Sequence, residues 1–160
     1  MADWRPQDED MDGGLVLQSA IYGLRFVEHV CDQRIKDISA IETTLGNPRE
    51  GNLRMAASLQ MSLESGGIAT VIANYLNQPA TGAWGFEELR VFGTEGYLLT
   101  NFIDASVTVC IGDVKETYQP EPEEGLLSII IRTIAEGGSI PDLMRPTRFA
   151  LRARENIVLS

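Results

Sequence analysis

The sequence is poor in the side chains that most often build metal and covalent reaction centres. Its 160 residues include one histidine, His29, and two cysteines, Cys31 and Cys110. A single histidine excludes histidine-rich metal sites and disfavours a serine triad, and the cysteine spacing fits no zinc or redox motif. We therefore predict no metal site and two buried free thiols, with a disulfide between them as the alternative.

Long apolar runs and clustered positive charges are also missing. No stretch of about 18 apolar residues occurs, so no segment is predicted to span a bilayer. Residues 1–14 are acidic and lack the apolar centre of a secretion signal, which predicts a cytoplasmic location. The net charge of −10, with basic residues scattered along the chain, predicts neither nucleic acid nor an anionic membrane as a partner.

Nucleotide-binding and hydrolase motifs are missing as well. There is no G-x-G-x-x-G after a predicted strand, no Walker loop and no nucleophile elbow. His29 follows Glu28 on the polar side of a predicted helix, where a surface histidine is the favoured interpretation. Glu121, Glu123 and Glu124 lie near the start of another predicted helix, where carboxylates suit the helix dipole. We interpret them in that way rather than as cation ligands.

The length of 160 residues predicts one domain, residues 1–160, and a hydrophobic fraction of 44% is enough for a buried core. Residues 1–12 are charged and contain Pro6, which predicts an extended lead-in. Gly13-Gly14 then opens a helix that ends near residues 32–34. Its apolar face has spacings of three and four and consists of Leu17, Ala20, Ile21, Leu24, Val27 and Cys31.

Successive hairpins follow this helix. Apolar and polar residues alternate over residues 53–63, as in a strand with one apolar face. That face is formed by Leu53, Met55, Ala57, Leu59, Met61 and Leu63. A strand region starts at residue 35, and further strands are predicted over 53–63, 68–76, 87–92, 97–100, 107–111 and 114–118. Helices are predicted from Pro122 to Ile134 and over 148–159. This order predicts an α+β fold with an open, mainly antiparallel sheet and helices packed on one face.

Several short motifs occur in an order that resembles one family. Trp4-Arg5 is followed by Gly13-Gly14, then by I-Y-G-L in the first helix, E-S-G-G-I-A-T at a hairpin and F-G-T-E-G after a strand. This order resembles the C-terminal domain of the Gfo/Idh/MocA oxidoreductases, and the resemblance covers residues 4–160. It implies that the nucleotide-binding domain of the family is absent here. No cofactor is then expected in this chain, and NAD or NADP is expected in a full-length parent.

The resemblance also implies site residues. The family usually carries D-x-x-x-H in this helix, and the two positions correspond to Gln18 and Tyr22 here. The glucose–fructose oxidoreductase branch has a tyrosine in the same context, so Tyr22 is implied as a catalytic and substrate-binding residue. Gln18 departs from the motif, because an amide can orient a substrate hydroxyl but cannot act as a base. The alternative is a Tyr22 ring packed at the sheet edge with its hydroxyl in water, and Arg25 is predicted to face solvent.

The implied function is that of a substrate-binding and oligomerisation domain of an NAD(P)-dependent oxidoreductase that acts on a sugar or similar polyol. The chain alone is then expected to be inactive. The alternative is a non-enzymatic, self-associating module that binds a small ligand or a protein on its open sheet. The second face of residues 53–63 has few charges, which favours a partner over bulk water: Arg54, Ala56, Ser58, Gln60 and Ser62. We therefore predict a homo-oligomer formed through the sheet face.

Overall fold

The computed structural model describes residues 14–48, 50–121, 124–140 and 142–159, so the predicted lead-in, residues 1–12, lies outside the described residues. The chain divides into two compact units, Met1–Thr81 with Met144–Ser160 and Gly82–Leu143. The described strands form two open sheets, in which every pairing is antiparallel except that of the last strand. The predicted α+β class is confirmed.

The first unit begins with helix α1, whose winding changes along its length. Val16–Ala20 and Phe26–Val30 are π-helical, and Ile21–Arg25 between them is α-helical. The wider π turns change which residues face the core. The buried residues are Leu15, Val16, Ala20, Leu24, Val27 and Glu28. The centre of the predicted apolar face is thus confirmed, and its outer members are only partly buried: Leu17, Ile21 and Cys31.

The sheet of the first unit has the strand order β3-β2-β1-β8. Its strands are β1 (Ile35–Thr43), β2 (Ala56–Leu63), β3 (Ile68–Asn74) and β8 (Ile157–Leu159). Gly66 in the β2–β3 hairpin has a φ of +89°, a value that glycine adopts without strain. The predicted alternation of residues 53–63 is confirmed, because all six apolar side chains are at most 8% exposed.

One face of this sheet is covered by helices α1 and α3 (Arg145–Glu155). Ala150 and Ala153 of α3 are fully buried in the same apolar cluster as the helix α1 and strand side chains. A bulge between Ile35 and Asp37 lets Ile35 and Ile38, three residues apart, both face the core. The predicted packing of helices on one sheet face is confirmed in this unit.

The end of the chain differs from the predicted helix over residues 148–159. Helix α3 begins at Arg145 and ends at Glu155. The side-chain amide of Asn156 donates to the carbonyl oxygen of Arg152 at 3.2 Å, which caps the last turn. Ile157–Leu159 instead form β8, which pairs in parallel with β1. The prediction was wrong because these apolar residues continue the helical pattern in sequence, whereas in space they complete the edge of a sheet.

The second unit is an antiparallel sheet with the strand order β4-β5-β6-β7. Its strands are β4 (Glu88–Phe92), β5 (Gly96–Asn101), β6 (Ser106–Ile111) and β7 (Val114–Tyr118), each within one residue of its predicted bounds. Gly112 lies in the two-residue turn between β6 and β7 and has a φ of +55°, a positive value that such a tight turn favours. The hairpins therefore build two sheets of four strands, not one continuous sheet. No described side chain of this unit is fully buried.

Helix α2 (Leu126–Ala135) starts later than predicted. Gly125 precedes it in an extended conformation, so Glu124 lies before the helix and not in its first turn. Glu124 pairs with Arg132 one to two turns along the helix. Pro122 and Glu123 lie outside the described residues. Among the described residues, no helix has the length and apolar character needed to cross a bilayer.

Candidate functional site

The two site residues implied by the sequence lie on adjacent turns of α1. Gln18 belongs to the first π-helical turn and Tyr22 to the α-helical turn that follows, and both side chains are exposed. Tyr22 is 56% exposed, and its hydroxyl has no hydrogen-bond partner among the described residues. A phenol can donate and accept a hydrogen bond, and so can an amide. This part of α1 can therefore contact the hydroxyl groups of a ligand.

Gly23, next to Tyr22, brings α1 close to strand β3. A Cβ atom at this position would lie 2.5 Å and 2.6 Å from the two methyl carbons of Val71. Carbon atoms prefer separations of about 3.5–4.0 Å, so any larger residue would push the helix or Val71 away. The glycine of I-Y-G-L thus sets the distance between the Tyr22 turn and the sheet. The sequence alone does not predict this role, because the contact with Val71 depends on the fold.

A buried ion pair fixes the other end of α1. The Glu28 side chain is 3% exposed, and Arg145 Nε donates to its two carboxylate oxygens at 3.0 Å and 2.9 Å. The Ile35 amide donates to Glu28 Oε1 at 2.7 Å, and Arg145 Nη2 donates to the Ile35 carbonyl oxygen at 2.7 Å. These bonds join α1, β1 and α3. No local pattern in the sequence predicts these bonds, because Glu28 and Arg145 are 117 residues apart.

Arg25 and His29 follow Tyr22 along α1. Arg25 is partly exposed and forms no ion pair or hydrogen bond with any described residue. The sequence predicts His29 at the surface, and this is corrected: the residue is partly buried, and its Nε2 atom is buried without a partner among the described residues. The π-helical turn Phe26–Val30 accounts for the difference, because the prediction assumed ordinary α-helical winding.

Both cysteines are free, as predicted, although each is only partly buried. Burial raises the pKa of the Cys31 thiol, which favours its protonated, unreactive form. Cys110 lies opposite Tyr97 in the β5–β6 ladder, and its hydrogen bond with the Tyr97 hydroxyl raises the pKa of Tyr97. No group of three His, Cys, Asp or Glu side chains in the described ranges could hold a metal ion.

The fold and the order of the motifs agree with one class of protein, a family of C-terminal domains that occur in oxidoreductases. The chain belongs to the Gfo/Idh/MocA family, because the family model described as the GFO/IDH/MocA C-terminal domain matches residues 1–99. The matched part includes Gly13-Gly14, the I-Y-G-L motif and F-G-T-E-G, so the family resemblance is confirmed. No curated protein sequence matches the chain significantly.

Solved structures share the fold over nearly the whole chain. A structure from Thermotoga maritima named as an oxidoreductase is 20% identical, with a TM-score of 0.83, and the match covers 96% of this chain and 49% of that one. The aldose-aldose oxidoreductase of Caulobacter crescentus, complexed with glycerol, is 20% identical, with a TM-score of 0.68 and coverage of 89% and 46%. At these identities the likeness shows the fold.

A third structure is an oxidoreductase from Agrobacterium radiobacter in complex with NAD+, L-tartaric acid and magnesium. It is 13% identical, with a TM-score of 0.69, and the match covers 86% of this chain and 45% of that one. The chain thus spans about half the length of the solved structures that it matches.

Proposed function

We propose that this chain is the substrate-binding and oligomerisation domain of an NAD(P)-dependent oxidoreductase that acts on a sugar or similar polyol. The observation that carries the proposal is the exposed pair Gln18 and Tyr22 on adjacent turns of α1, in a chain of this family. The name of the Caulobacter crescentus structure, an aldose-aldose oxidoreductase, supports a sugar as the substrate. The NAD+ in the Agrobacterium radiobacter complex supports a nicotinamide as the cofactor.

The roles of the two side chains follow from the redox chemistry. A nicotinamide bound in the nucleotide-binding domain would supply the hydride chemistry at the carbon that carries the reacting oxygen. Tyr22 exchanges the proton: its hydroxyl donates to the oxygen when a carbonyl is reduced, and its phenolate accepts the proton when an alcohol is oxidised. Gln18 orients a neighbouring hydroxyl. A neighbouring cation would favour the phenolate, and the family resemblance implies a lysine of the nucleotide-binding domain in that role.

The experiment that tests this function joins the chain to a nucleotide-binding domain of the same family. We expect reduced nicotinamide to form when NAD+ or NADP+ is supplied with sugars or polyols. The chain alone is expected to show no such turnover, because hydride transfer requires the two reactants to be held within about 3–3.5 Å of each other. A joined protein that binds the nucleotide but oxidises or reduces none of these substrates would contradict the proposal.

The oligomerisation role rests on the face of the β3-β2-β1-β8 sheet opposite α1 and α3. One row in register across this face is Val158, Ile41, Ser58 and Ile72. Its three apolar members are 62%, 52% and 75% exposed, in the order Val158, Ile41, Ile72. The rows on either side of it are uncharged. One row consists of Ser39, Gln60 and Thr70, and the other consists of Thr43, Ala56 and Asn74. Such a face resembles the apolar centre of an interface more than a solvated surface.

The charge of the chain favours this face over the rest of its surface. With a net charge of −10, two copies repel each other wherever acidic surfaces meet. Asp37, at the bulged end of β1, is paired with Arg152 at 3.1 Å. Two copies can therefore approach through the uncharged rows with little repulsion. The same surface would serve the alternative, a non-enzymatic module that self-associates.

Replacing Ile72 by lysine is expected to weaken self-association at least about tenfold, because a charge would be buried against an apolar surface. Sedimentation equilibrium at about tens of micromolar measures this effect. Leu45→Lys is the matched control, because Leu45 is 81% exposed and lies in the turn after β1. A monomeric parent chain, or equal effects of the two substitutions, would contradict association through this face.

A further inference from the structure

The exposed side of α1 carries hydrogen-bond donors and no acid. Tyr22 and Arg25 lie three residues apart in the α-helical turn, which places them on one side of the helix, and the exposed Gln18 lies in the turn before them. Glu28 is the only acidic residue among residues 14–30, and its carboxylate is buried against Arg145. The chain as a whole is acidic, with 23 aspartate and glutamate residues. The exposed side of α1 differs from it, because α1 itself contributes no exposed carboxylate there.

Arg25 differs from the arginines that have structural partners. Five others form ion pairs with carboxylates: Arg54, Arg90, Arg132, Arg145 and Arg152. Arg25 forms no such pair with the described residues, although it is only partly exposed. A guanidinium binds carboxylate and phosphate groups through paired, charge-assisted hydrogen bonds. An anion bound next to Tyr22 would therefore find a cation with its donors unused.

Arg25 and Tyr22 are close enough for one small molecule to contact both side chains. Both residues lie within the α-helical turn Ile21–Arg25. In this geometry, residues three apart have Cβ atoms about 5–6 Å apart. A five- or six-carbon hydroxylated chain is long enough to place one oxygen at Tyr22 and a terminal anionic group at Arg25. Gln18, one turn before Tyr22, can then contact a further hydroxyl.

We propose that the substrate of this site carries an anionic group, a carboxylate or a phosphate, and that Arg25 binds it. This inference rests on the proposed function and narrows it from sugars and polyols in general to their acids or phosphate esters. Arg25 is then a specificity-determining residue, since neutral sugars lack the group that it binds. A charge-assisted bond of this kind is expected to strengthen binding about tenfold or more.

The test compares matched probes on the chain itself by nuclear magnetic resonance titration. Gluconate and sorbitol share a six-carbon skeleton and differ in charge, and glucose 6-phosphate and glucose form the second pair. We expect an anionic probe to bind about tenfold more tightly than its neutral partner at low salt, and added salt to reduce the difference. Arg25→Gln should abolish the preference, and Arg25→Lys should retain part of it. Arg34→Gln is the control, because it removes the same charge from an exposed position beyond α1.

Each outcome decides between the two proposals. A preference for gluconate or for glucose 6-phosphate that Arg25→Gln removes supports the inference and identifies the anionic group. Equal binding of anionic and neutral probes, unchanged in Arg25→Gln, overturns the inference and leaves the proposed function in place. A preference that Arg34→Gln removes equally also overturns it, because the effect would then come from overall charge. If no probe shifts the resonances of α1, both the inference and the proposed site on α1 are wrong.

Discussion

Tyr22→Phe in the joined enzyme is expected to lower turnover by about 10² to 10⁴, the usual contribution of a general acid–base group. The substitution retains the ring and removes only the oxygen that exchanges the proton. Because the side chain is 56% exposed and its hydroxyl has no partner among the described residues, folding should be little affected. Steady-state kinetics of nicotinamide reduction measure the effect, which should appear in kcat more than in KM.

Tyr118→Phe is the matched control for this experiment. Tyr118 lies on β7 and is 51% exposed, so it loses the same oxygen from a similarly exposed ring. We expect it to leave turnover within about threefold of the parent, well below the acid–base range. If Tyr22→Phe also stays within that range, the tyrosine is not the proton-transfer residue, and the alternative of a ring with its hydroxyl in water is correct.

Arg145→Met is expected to destabilise the chain by about 3–5 kcal/mol, the usual result of removing one partner from a buried ion pair. The Glu28 carboxylate, 3% exposed, would keep the Ile35 amide as a donor but lose its counter-charge. The substitution would also break the bond from Arg145 to the Ile35 carbonyl oxygen. Urea denaturation measures the free energy of unfolding. Because these bonds hold the end of α1, the variant should also weaken ligand binding at Tyr22.

Two further variants test whether the loss of stability comes from the buried Glu28–Arg145 pair. Arg152→Met lies on the same helix and breaks an exposed pair with Asp37, whose side chains are 51% and 65% exposed, so it should cost at most about 1 kcal/mol. The double variant Glu28→Leu with Arg145→Met should recover much of the loss, because no charge then remains buried. Equal, small effects of Arg145→Met and Arg152→Met would show that the Glu28–Arg145 pair does not fix α1.

Local patterns predicted most of the fold. The alternation of residues 53–63 depends only on the two-residue period of a strand, and all six side chains that it predicts as buried are buried. The hairpins were predictable because their glycines meet a local conformational need, as Gly66 and Gly112 show. The order of the motifs from Trp4-Arg5 to F-G-T-E-G identified the family, which the match over residues 1–99 confirms.

The features that were missed depend on contacts distant in sequence. The β8 strand, Ile157–Leu159, exists because β1 offers an open edge, and no local pattern contains that edge. The burial of Glu28 depends on Arg145, and the need for glycine at position 23 depends on Val71. Phe26–Val30 is π-helical, so the position of His29 could not be predicted from α-helical periodicity.

The contact between the substrate and the exposed side of α1 is the central claim, and intermolecular nuclear Overhauser effects in the joined protein test it most directly. With a bound polyol or sugar acid, we expect contacts from the carbon-bound protons of the ligand to the Tyr22 ring and to the Gln18 side-chain amide. These contacts should persist in Tyr22→Phe, because the ring remains while turnover falls. Contacts confined to other surfaces, such as the β4–β7 sheet, or no contact with α1 at a saturating ligand concentration, would contradict the account.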